Sequence, residues 1–270
     1  ILKTGRDEYG YRLPLSFRSF DDYKPPIYTY LVIPSIAIFG LNDFAVRFPS
    51  AALGVLAVLF TYLMVLELFG KKEIAILAAF FLAISPWHLQ FSRIAFESNV
   101  GMFFNILVAL LFLKGLKKPL FLLVAAFFAG LNIYVYQAEK VFTPLLAGVL
   151  FLVFRKEILN VGRKYLFLAI GVGLLLVLPF FYLSLTTPAV FLRAKGTSFA
   201  ADQTPFLAQT AQRLQRDYEK NDFLGLILDN RRINYLLTFA KGYFSHFDLN
   251  WLFLTGDEAR HHAPGMGLLY

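Results

Sequence analysis

The sequence contains no cysteine among its 270 residues, and only 16% of the residues are charged. The lack of cysteine excludes disulfides and thiolate metal sites. It gives no information on whether the protein lies in an oxidising or a reducing compartment. By contrast, 58% of the residues are hydrophobic and the mean hydropathy is +0.59. This composition is typical of a polytopic membrane protein.

The motifs of several common enzyme classes are also absent. The sequence has no phosphate-binding loop, no dinucleotide-binding fingerprint and no H-x-x-x-H spacing for a metal. The formal net charge of +8 would suggest a nucleic-acid partner for a soluble domain. Here the positive residues concentrate in alternate loops between apolar runs, as membrane topology requires, so nucleic acid is not an expected partner.

Six apolar runs are long enough, or nearly long enough, to cross about 30 Å of hydrocarbon. They lie at residues 51–69, 74–91, 100–113, 119–136, 141–154 and 165–185. A shorter run at 27–41 contains Pro34, and we interpret it as a juxtamembrane or re-entrant helix at the outer interface. The sequence therefore predicts an all-α integral membrane protein, a polytopic helix bundle of about six spans in the lipid bilayer.

Every second loop between these runs is basic. The basic loops carry Lys71 and Lys72, then Lys114, Lys117 and Lys118, then Arg155, Lys156, Arg163 and Lys164. The positive-inside rule places these loops in the cytoplasm. We therefore predict a first extracytoplasmic loop with its juxtamembrane helix at 1–50, a transmembrane bundle at 51–185 and an extracytoplasmic region at 186–270, in a multi-pass protein of the cell membrane.

The charged residues of the predicted outer side form four groups. They are Asp7, Glu8, Asp21 and Asp22 among Arg6, Arg12, Arg18 and Lys24; then Arg93 and Glu97; then Glu139 and Lys140; then Asp257, Arg260, His261 and His262. A shared cleft of carboxylates and cations suits group transfer from a lipid-linked phosphate. A general base takes a proton from the acceptor, while Lys and Arg stabilise the negative charge on the departing phosphate.

Each group also has a structural interpretation. The two acidic pairs, Asp7 with Glu8 and Asp21 with Asp22, are equally well explained as solvated loop charges or helix caps. Arg93 and Glu97 have the i, i+4 spacing of a helical ion pair, and Lys140 has the character of an interfacial snorkelling residue. No metal site is expected, because adjacent histidines do not share a helical face. No cofactor is identified from the sequence, and the sequence does not decide whether a divalent metal takes part in the reaction.

Five stretches of the sequence carry a family resemblance. They read ILKTGRDEYGYRLP, DDYKPPIYTYL, FGLNDFAVRFPSAALG, ISPWHLQFSRIAFESN and HHAPGMGLLY. Together they resemble bacterial and archaeal glycosyltransferases of the dolichyl-phosphate-mannose protein mannosyltransferase type, which group with the aminoarabinose transferases in the GT-C superfamily. The resemblance implies a multi-helix membrane fold, juxtamembrane helices in the first outer loop and a polyprenyl-phosphate sugar donor.

The resemblance also implies roles for particular residues. Lys24 of the KPP motif is the candidate contact to the donor phosphate, Arg93 and Glu97 match charged positions of the second outer loop, and Lys140 matches a basic position of the third. The family's catalytic Asp-Glu motif precedes the segment that resembles ILKTG. We therefore expect the catalytic acid before Ile1, further spans beyond the last residue, and only a weak candidacy for Asp7 and Glu8.

The resulting expectation is a mannosyltransferase-like membrane enzyme. It would move a sugar from a polyprenyl-phosphate donor to a protein, lipid or glycan acceptor on the outer face. The alternative is a transporter or flippase for a lipid-linked sugar, which would favour repeated halves and broken helices; neither pattern is predicted here. A structural subunit of a membrane complex is a third hypothesis. Asn105 and Asn132, within predicted spans, are expected to form interhelical hydrogen bonds.

Overall fold

The computed structural model describes residues 4–19, 22–186, 204–256 and 267–269. It divides the chain into two compact units, Ile1–Thr187 and Pro188–Tyr270. Helices account for nearly all of the regular structure in these described residues. The prediction of an all-α protein is therefore confirmed.

The first unit begins with a short hairpin and continues as nine helices within its described residues. The strands are β1 (Phe17–Ser19) and β2 (Asp22–Lys24); the helices are α1 (Ile27–Phe39), α2 (Asp43–Phe69), α3 (Lys72–Ile84), α4 (Pro86–Arg93), α5 (Glu97–Lys117), α6 (Leu120–Asn132), α7 (Glu139–Val153), α8 (Arg155–Asn160) and α9 (Arg163–Thr186). The two strands pair in antiparallel register. Every predicted apolar run is thus helical over most of its length.

Three of these helices, α2, α5 and α9, are long and apolar enough to cross a membrane, and α3 with α4 passes the same test as a bent pair. These helices identify an integral membrane protein. Helices α1 and α6 are apolar but have only 13 residues each, and α7 has 15 residues with Pro144 inside. The count of six spans stays a prediction.

The predicted run at 74–91 is not one continuous helix. It bends by 59° between α3 and α4. Pro86 begins α4, and a proline disfavours helical geometry at the preceding residue, which matches the extended conformation of Ser85 (φ −61°, ψ 122°). The expectation of no broken helix is therefore wrong at this point.

Helix α1, predicted at 27–41, is followed closely by α2. Gly40 ends α1 with a φ of 77°, a conformation that glycine adopts without steric cost. The Asn42 side chain then accepts a hydrogen bond from the backbone N–H of Ala45 at 2.8 Å and caps α2. Because α2 begins at Asp43, its helix starts eight residues before the predicted span.

Helix α5 forms the centre of the bundle. Its buried residues include Val100, Phe103 and Phe104, which join the main apolar core. At its start, the Asn99 side chain donates to the Ser50 carbonyl of α2 at 2.9 Å, and the Ser50 hydroxyl donates to the Phe91 carbonyl of α4 at 3.0 Å. These bonds fix three helices at one level.

The bundle has two chemically distinct ends. The loop end carries residues 23–27, 94–96 and 133–138, and the basic end carries the predicted cytoplasmic loops, which contain Lys71, Lys117 and Arg155. At the basic end, the Lys117 ammonium lies 2.6 Å from the Glu67 carboxylate. Helices α2, α5 and α7 run from the loop end to the basic end, as the alternation of basic loops predicts.

The second unit contains shorter helices. They are α10 (Thr204–Glu219), α11 (Phe223–Leu228) and α12 (Arg231–Ser245), followed by a π-helical turn at Trp251–Thr255. Asp222 caps α11 through the Gly225 N–H at 2.9 Å, and Asn230 caps α12 through the Arg232 N–H at 3.0 Å. These caps divide residues 223–245 into two helices.

Candidate functional site

Three segments that are far apart in the sequence meet at the loop end. The side-chain amide of Gln137, between α6 and α7, donates to the Tyr23 carbonyl of β2 at 3.1 Å. The ring of Phe96, between α4 and α5, lies 5.9 Å from the ring of Tyr136. The first, second and third loops that the sequence places outside therefore form one surface of the first unit.

Lys140 lies at the start of α7 on this surface. Its ammonium donates a hydrogen bond to the Gln137 side-chain oxygen and lies 4.7 Å from the centre of the Phe180 ring of α9. A cation over an aromatic face is stabilised by the ring quadrupole. Both of these partners are neutral groups, and together they orient the Lys140 ammonium.

Lys24 reaches the same surface from the first loop. It is the last residue of β2, where it is paired with Phe17, and its side chain is exposed. The preceding residue, Tyr23, is the one whose carbonyl binds Gln137. The structure therefore brings the strand of Lys24 and the loop before Lys140 together through a single side chain.

Arg93 and Glu97 lie on either side of a helix break. Helix α4 ends at Arg93 and α5 begins at Glu97, with an extended Phe96 between them. The two residues do not share a helix, and the structure records no ion pair between them in the described ranges. The helical ion pair considered from their spacing is therefore wrong.

Glu97 is close to Tyr28 of α1. Burial, together with the Glu97 charge, raises the pKa of Tyr28 to about 12. The neutral phenol donates to the Val46 carbonyl of α2 at 2.9 Å. Glu97 thus lies near the contact between α1 and α2 that Tyr28 forms with Val46.

Asp7 and Glu8 belong to a small turn in the first loop. The Asp7 carboxylate accepts hydrogen bonds from the backbone N–H groups of Tyr9 at 3.0 Å and Tyr11 at 2.8 Å. This is the pattern of a turn-stabilising aspartate, and Glu8 is exposed beside it. The structural interpretation of Asp7 is favoured.

Several predicted residues fall outside the described ranges. They are Asp21, the side chain of Asp22, Asp257, Arg260, His261 and His262. In the part of the chain that is described, no group of three or more His, Cys, Asp or Glu residues is arranged to hold a metal ion.

A buried polar cluster lies directly beneath Lys140. The Glu139 carboxyl oxygen Oε2 accepts hydrogen bonds from Asn105 of α5 at 2.6 Å, Asn132 of α6 at 3.2 Å and Thr143 of α7 at 3.1 Å. Glu139 is 7% exposed, so its predicted outward position is wrong. The predicted interhelical hydrogen bonding of the two asparagines is confirmed, at 3.0 Å between them.

An apolar groove of about 400 Å³ follows the polar cluster along the bundle. It is lined by residues of α5, α6, α7, α8 and α9, with Thr143 and Val177 toward the loop end and Leu166 toward the basic end. Thr143 is one helical turn from Lys140, and Val177 is one turn from Phe180. The lining of the groove therefore ends one helical turn from Lys140 on α7 and one turn from Phe180 on α9.

Residues 23–183 match the model of a family described as dolichyl-phosphate-mannose-protein mannosyltransferase. The match covers more than half of the chain and contains Lys24, Arg93, Glu97 and Lys140. The chain belongs to this family. The resemblance based on the KPP and R-x-x-x-E stretches is thereby confirmed.

One curated relative of this mannosyltransferase-family chain is "Putative mannosyltransferase YkcB" of Bacillus subtilis (strain 168). It is 33% identical over 127 residues, which cover 46% of this chain and 18% of the relative. The match thus spans about a fifth of the relative's length. No solved structure matches the chain.

Sequence reasoning missed Gln137 and misplaced Glu139 at this family member's loop end. Gln137 precedes Lys140 by three residues, across the turn that leads into α7. That spacing was the available signal for Gln137. For Glu139 the sequence offered no signal, because a single carboxylate at a helix start is usually solvated.

Proposed function

We propose that this chain binds the donor of a membrane glycosyltransferase. The enzyme moves a hexose from a polyprenyl-phosphate donor to a protein, lipid or glycan acceptor on the outer face of the cell membrane. Family membership supports the transferase class, and the name of the Bacillus subtilis relative makes mannose the first sugar to test.

The observation that carries this proposal is the position of Lys140 one helical turn beyond the lining of the apolar groove, at the point that we propose as the mouth of the groove. Lys140 contacts Phe180 of α9, and the groove begins one turn away on both α7 and α9, at Thr143 and Val177. A polyprenyl phosphate combines one anionic group with a long apolar chain. An ammonium at the end of an apolar groove matches both parts of such a molecule.

The groove has the dimensions for part of an isoprenoid chain. Its lining along α9 extends from Leu166 to Val177, a distance of about 16 Å at the helical rise per residue. Its small lining residues Ala125 and Ala129 of α6 leave room for branched methyl groups. Burial of the chain there is favoured by the removal of apolar surface from water.

The proposed reaction is an inverting displacement. An acceptor oxygen or nitrogen forms a bond to the anomeric carbon of the sugar, and the bond from that carbon to the phosphate oxygen breaks. The electron pair leaves with the polyprenyl phosphate, and a general base takes the acceptor proton. Lys24, Arg93 and Lys140 stabilise the negative charge that collects on the phosphate.

The remaining charged residues of the loop end have different proposed parts. Glu97, beside Tyr28, is proposed to line the edge of the donor site formed by the second loop. Asp7 is not proposed as the general base, because its carboxylate is engaged by the backbone of its own turn. Glu8 has no contact that would orient it toward the groove in the described part of the first loop.

The test uses the full-length protein in membranes with radiolabelled polyprenyl-phosphate sugars. Label should leave the lipid fraction and appear on an acceptor. Lys140→Ala should reduce this transfer on the order of 100-fold, the usual effect of removing one group that stabilises developing charge. Lys140→Arg should retain part of the activity, because it keeps the charge.

The matched control is Lys117→Ala at the basic end, where the side chain is 75% exposed and paired with Glu67. This variant should transfer sugar at the wild-type rate. Equal activity of the Lys140→Ala and wild-type proteins at matched expression would refute the proposed donor site. Label that stays on lipid but becomes accessible from the opposite leaflet would favour the flippase.

A further inference from the structure

The side-chain amide of Gln137 forms hydrogen bonds through both its nitrogen and its oxygen. Its nitrogen donates to the Tyr23 carbonyl at 3.1 Å, and its oxygen accepts from the Lys140 ammonium. One side chain therefore connects β2 of the first loop to the first turn of α7. These two elements are separated by more than 110 residues in the sequence.

The surrounding contacts hold the loop that carries Gln137 in place. The backbone N–H of Ile27 donates to the Tyr134 carbonyl at 3.3 Å, and the Tyr134 hydroxyl donates to the Leu176 carbonyl of α9 at 2.7 Å. The loop is thus attached to α1 on one side and to α9 on the other. Gln137 projects from a fixed backbone, so its two hydrogen bonds have a defined direction.

The chemistry of this position favours glutamine over similar residues. A glutamate would supply no N–H donor for the Tyr23 carbonyl, and its negative charge would form an ion pair with Lys140. Such a pair would compete with any anionic ligand for the ammonium. A neutral amide holds the ammonium without placing a negative charge beside it.

We propose that Gln137 is a positioning residue for the donor phosphate. It directs Lys140 across the mouth of the groove and fixes β2, so that Lys24 and Lys140 approach one phosphate group from two loops. This inference rests on the proposed function and adds a residue through which Lys140 acts. It predicts that the benefit of Gln137 depends on the presence of Lys140.

A double-mutant cycle tests this dependence. The KM for the polyprenyl-phosphate sugar and the kcat are measured for wild type, Gln137→Ala, Lys140→Ala and the double variant, all as full-length protein in membranes. Gln137→Ala alone should raise the donor KM about 10-fold. In the Lys140→Ala background the same change should raise it less than about 2-fold, because the residue through which Gln137 acts is gone.

Gln137→Glu provides a second variant that is nearly identical in shape. It should raise the donor KM at least as much as Gln137→Ala, since it loses the bond to Tyr23 and places a carboxylate against the Lys140 ammonium. The matched controls are Gln215→Ala and Gln215→Glu in α10, where the exposed amide contacts Glu219 at 3.2 Å. Both controls should have the wild-type KM.

The possible results separate this inference from the proposed function. Equal effects of Gln137→Ala in both backgrounds would overturn the inference while leaving Lys140 as a donor contact. A Lys140→Ala protein with the wild-type donor KM and kcat would overturn the proposed donor site and the inference with it. A wild-type KM for Gln137→Glu would also overturn the inference.

Discussion

The loop end and the basic end of the bundle are held by different kinds of contact. At the basic end, the described ion pair joins Glu67 to Lys117, whose side chain is 75% exposed. At the loop end, buried groups from distant segments bind one another, as Glu139 binds Asn105 and Asn132. The basic end can fulfil its predicted role in membrane orientation through charge alone, whereas the contacts at the loop end hold side chains in defined positions.

This difference should be visible in the free energy of unfolding. An exposed ion pair contributes about 0 to 1 kcal/mol. A buried donor that loses its acceptor costs about 1 to 3 kcal/mol. Paired substitutions at the two ends therefore measure how strongly the contacts at each end constrain the fold.

The largest expected difference is between Glu139→Ala and Glu67→Ala. The first leaves the donors of Asn105, Asn132 and Thr143 without their shared acceptor, and we expect a loss of about 3 kcal/mol. The second removes a surface ion pair and should cost less than about 1 kcal/mol. Thermal unfolding of both variants in detergent measures the difference. Similar melting temperatures would show that the polar cluster does not stabilise the loop end.

The next test uses two helical glycines. A Cβ on Gly101 of α5 would lie 2.5 Å from the Glu139 carboxyl oxygen Oε1, whereas a Cβ on Gly148 of α7 would have nothing within 4 Å. The Glu139 side chain cannot move away without losing its hydrogen bonds. Gly101→Ala should therefore cost about 2 kcal/mol.

Gly148→Ala is the matched control for this test. It should leave stability unchanged or raise it by about 0.5 to 1 kcal/mol, because alanine is the better helix former. Circular dichroism melts of the two variants provide the comparison. Equal destabilisation of both proteins would indicate a general intolerance of helical substitutions and contradict the close packing at Gly101.

The apolar pattern of the sequence was sufficient to predict the helices but not their environment. Helix α9 is the most apolar of the three long candidate spans, yet none of its most apolar stretch is buried within the protein, against 61% for α5. Hydropathy measures preference for an apolar surrounding, which lipid and protein supply equally. The polar side chains Asn99 and Asn105 were the better sign that α5 is central, because they require partners.

The candidate site was predictable only in part. The alternation of basic loops was enough to predict that the loops of Lys24, Glu97 and Lys140 meet at one end. It did not predict the contacts of Gln137 or the inward position of Glu139, since both depend on how far each helix extends past its apolar run. The Ser85-Pro86 pair was a signal for the helix break, but the apolar run continues through it, so hydropathy alone predicted a single helix.

The smallest effect is expected from removing one hydroxyl at the loop end. Tyr134→Phe loses the bond to the Leu176 carbonyl and should cost about 1 kcal/mol. Tyr182→Phe, on the same helix as Leu176 but 71% exposed, should cost less than about 0.5 kcal/mol. Thermal unfolding of the two proteins shows whether this bond joins the loop after α6 to α9 at the loop end. A Tyr134→Phe protein as stable as the Tyr182→Phe protein would mean that α9 is held by apolar packing against α6 and owes little to the loop end.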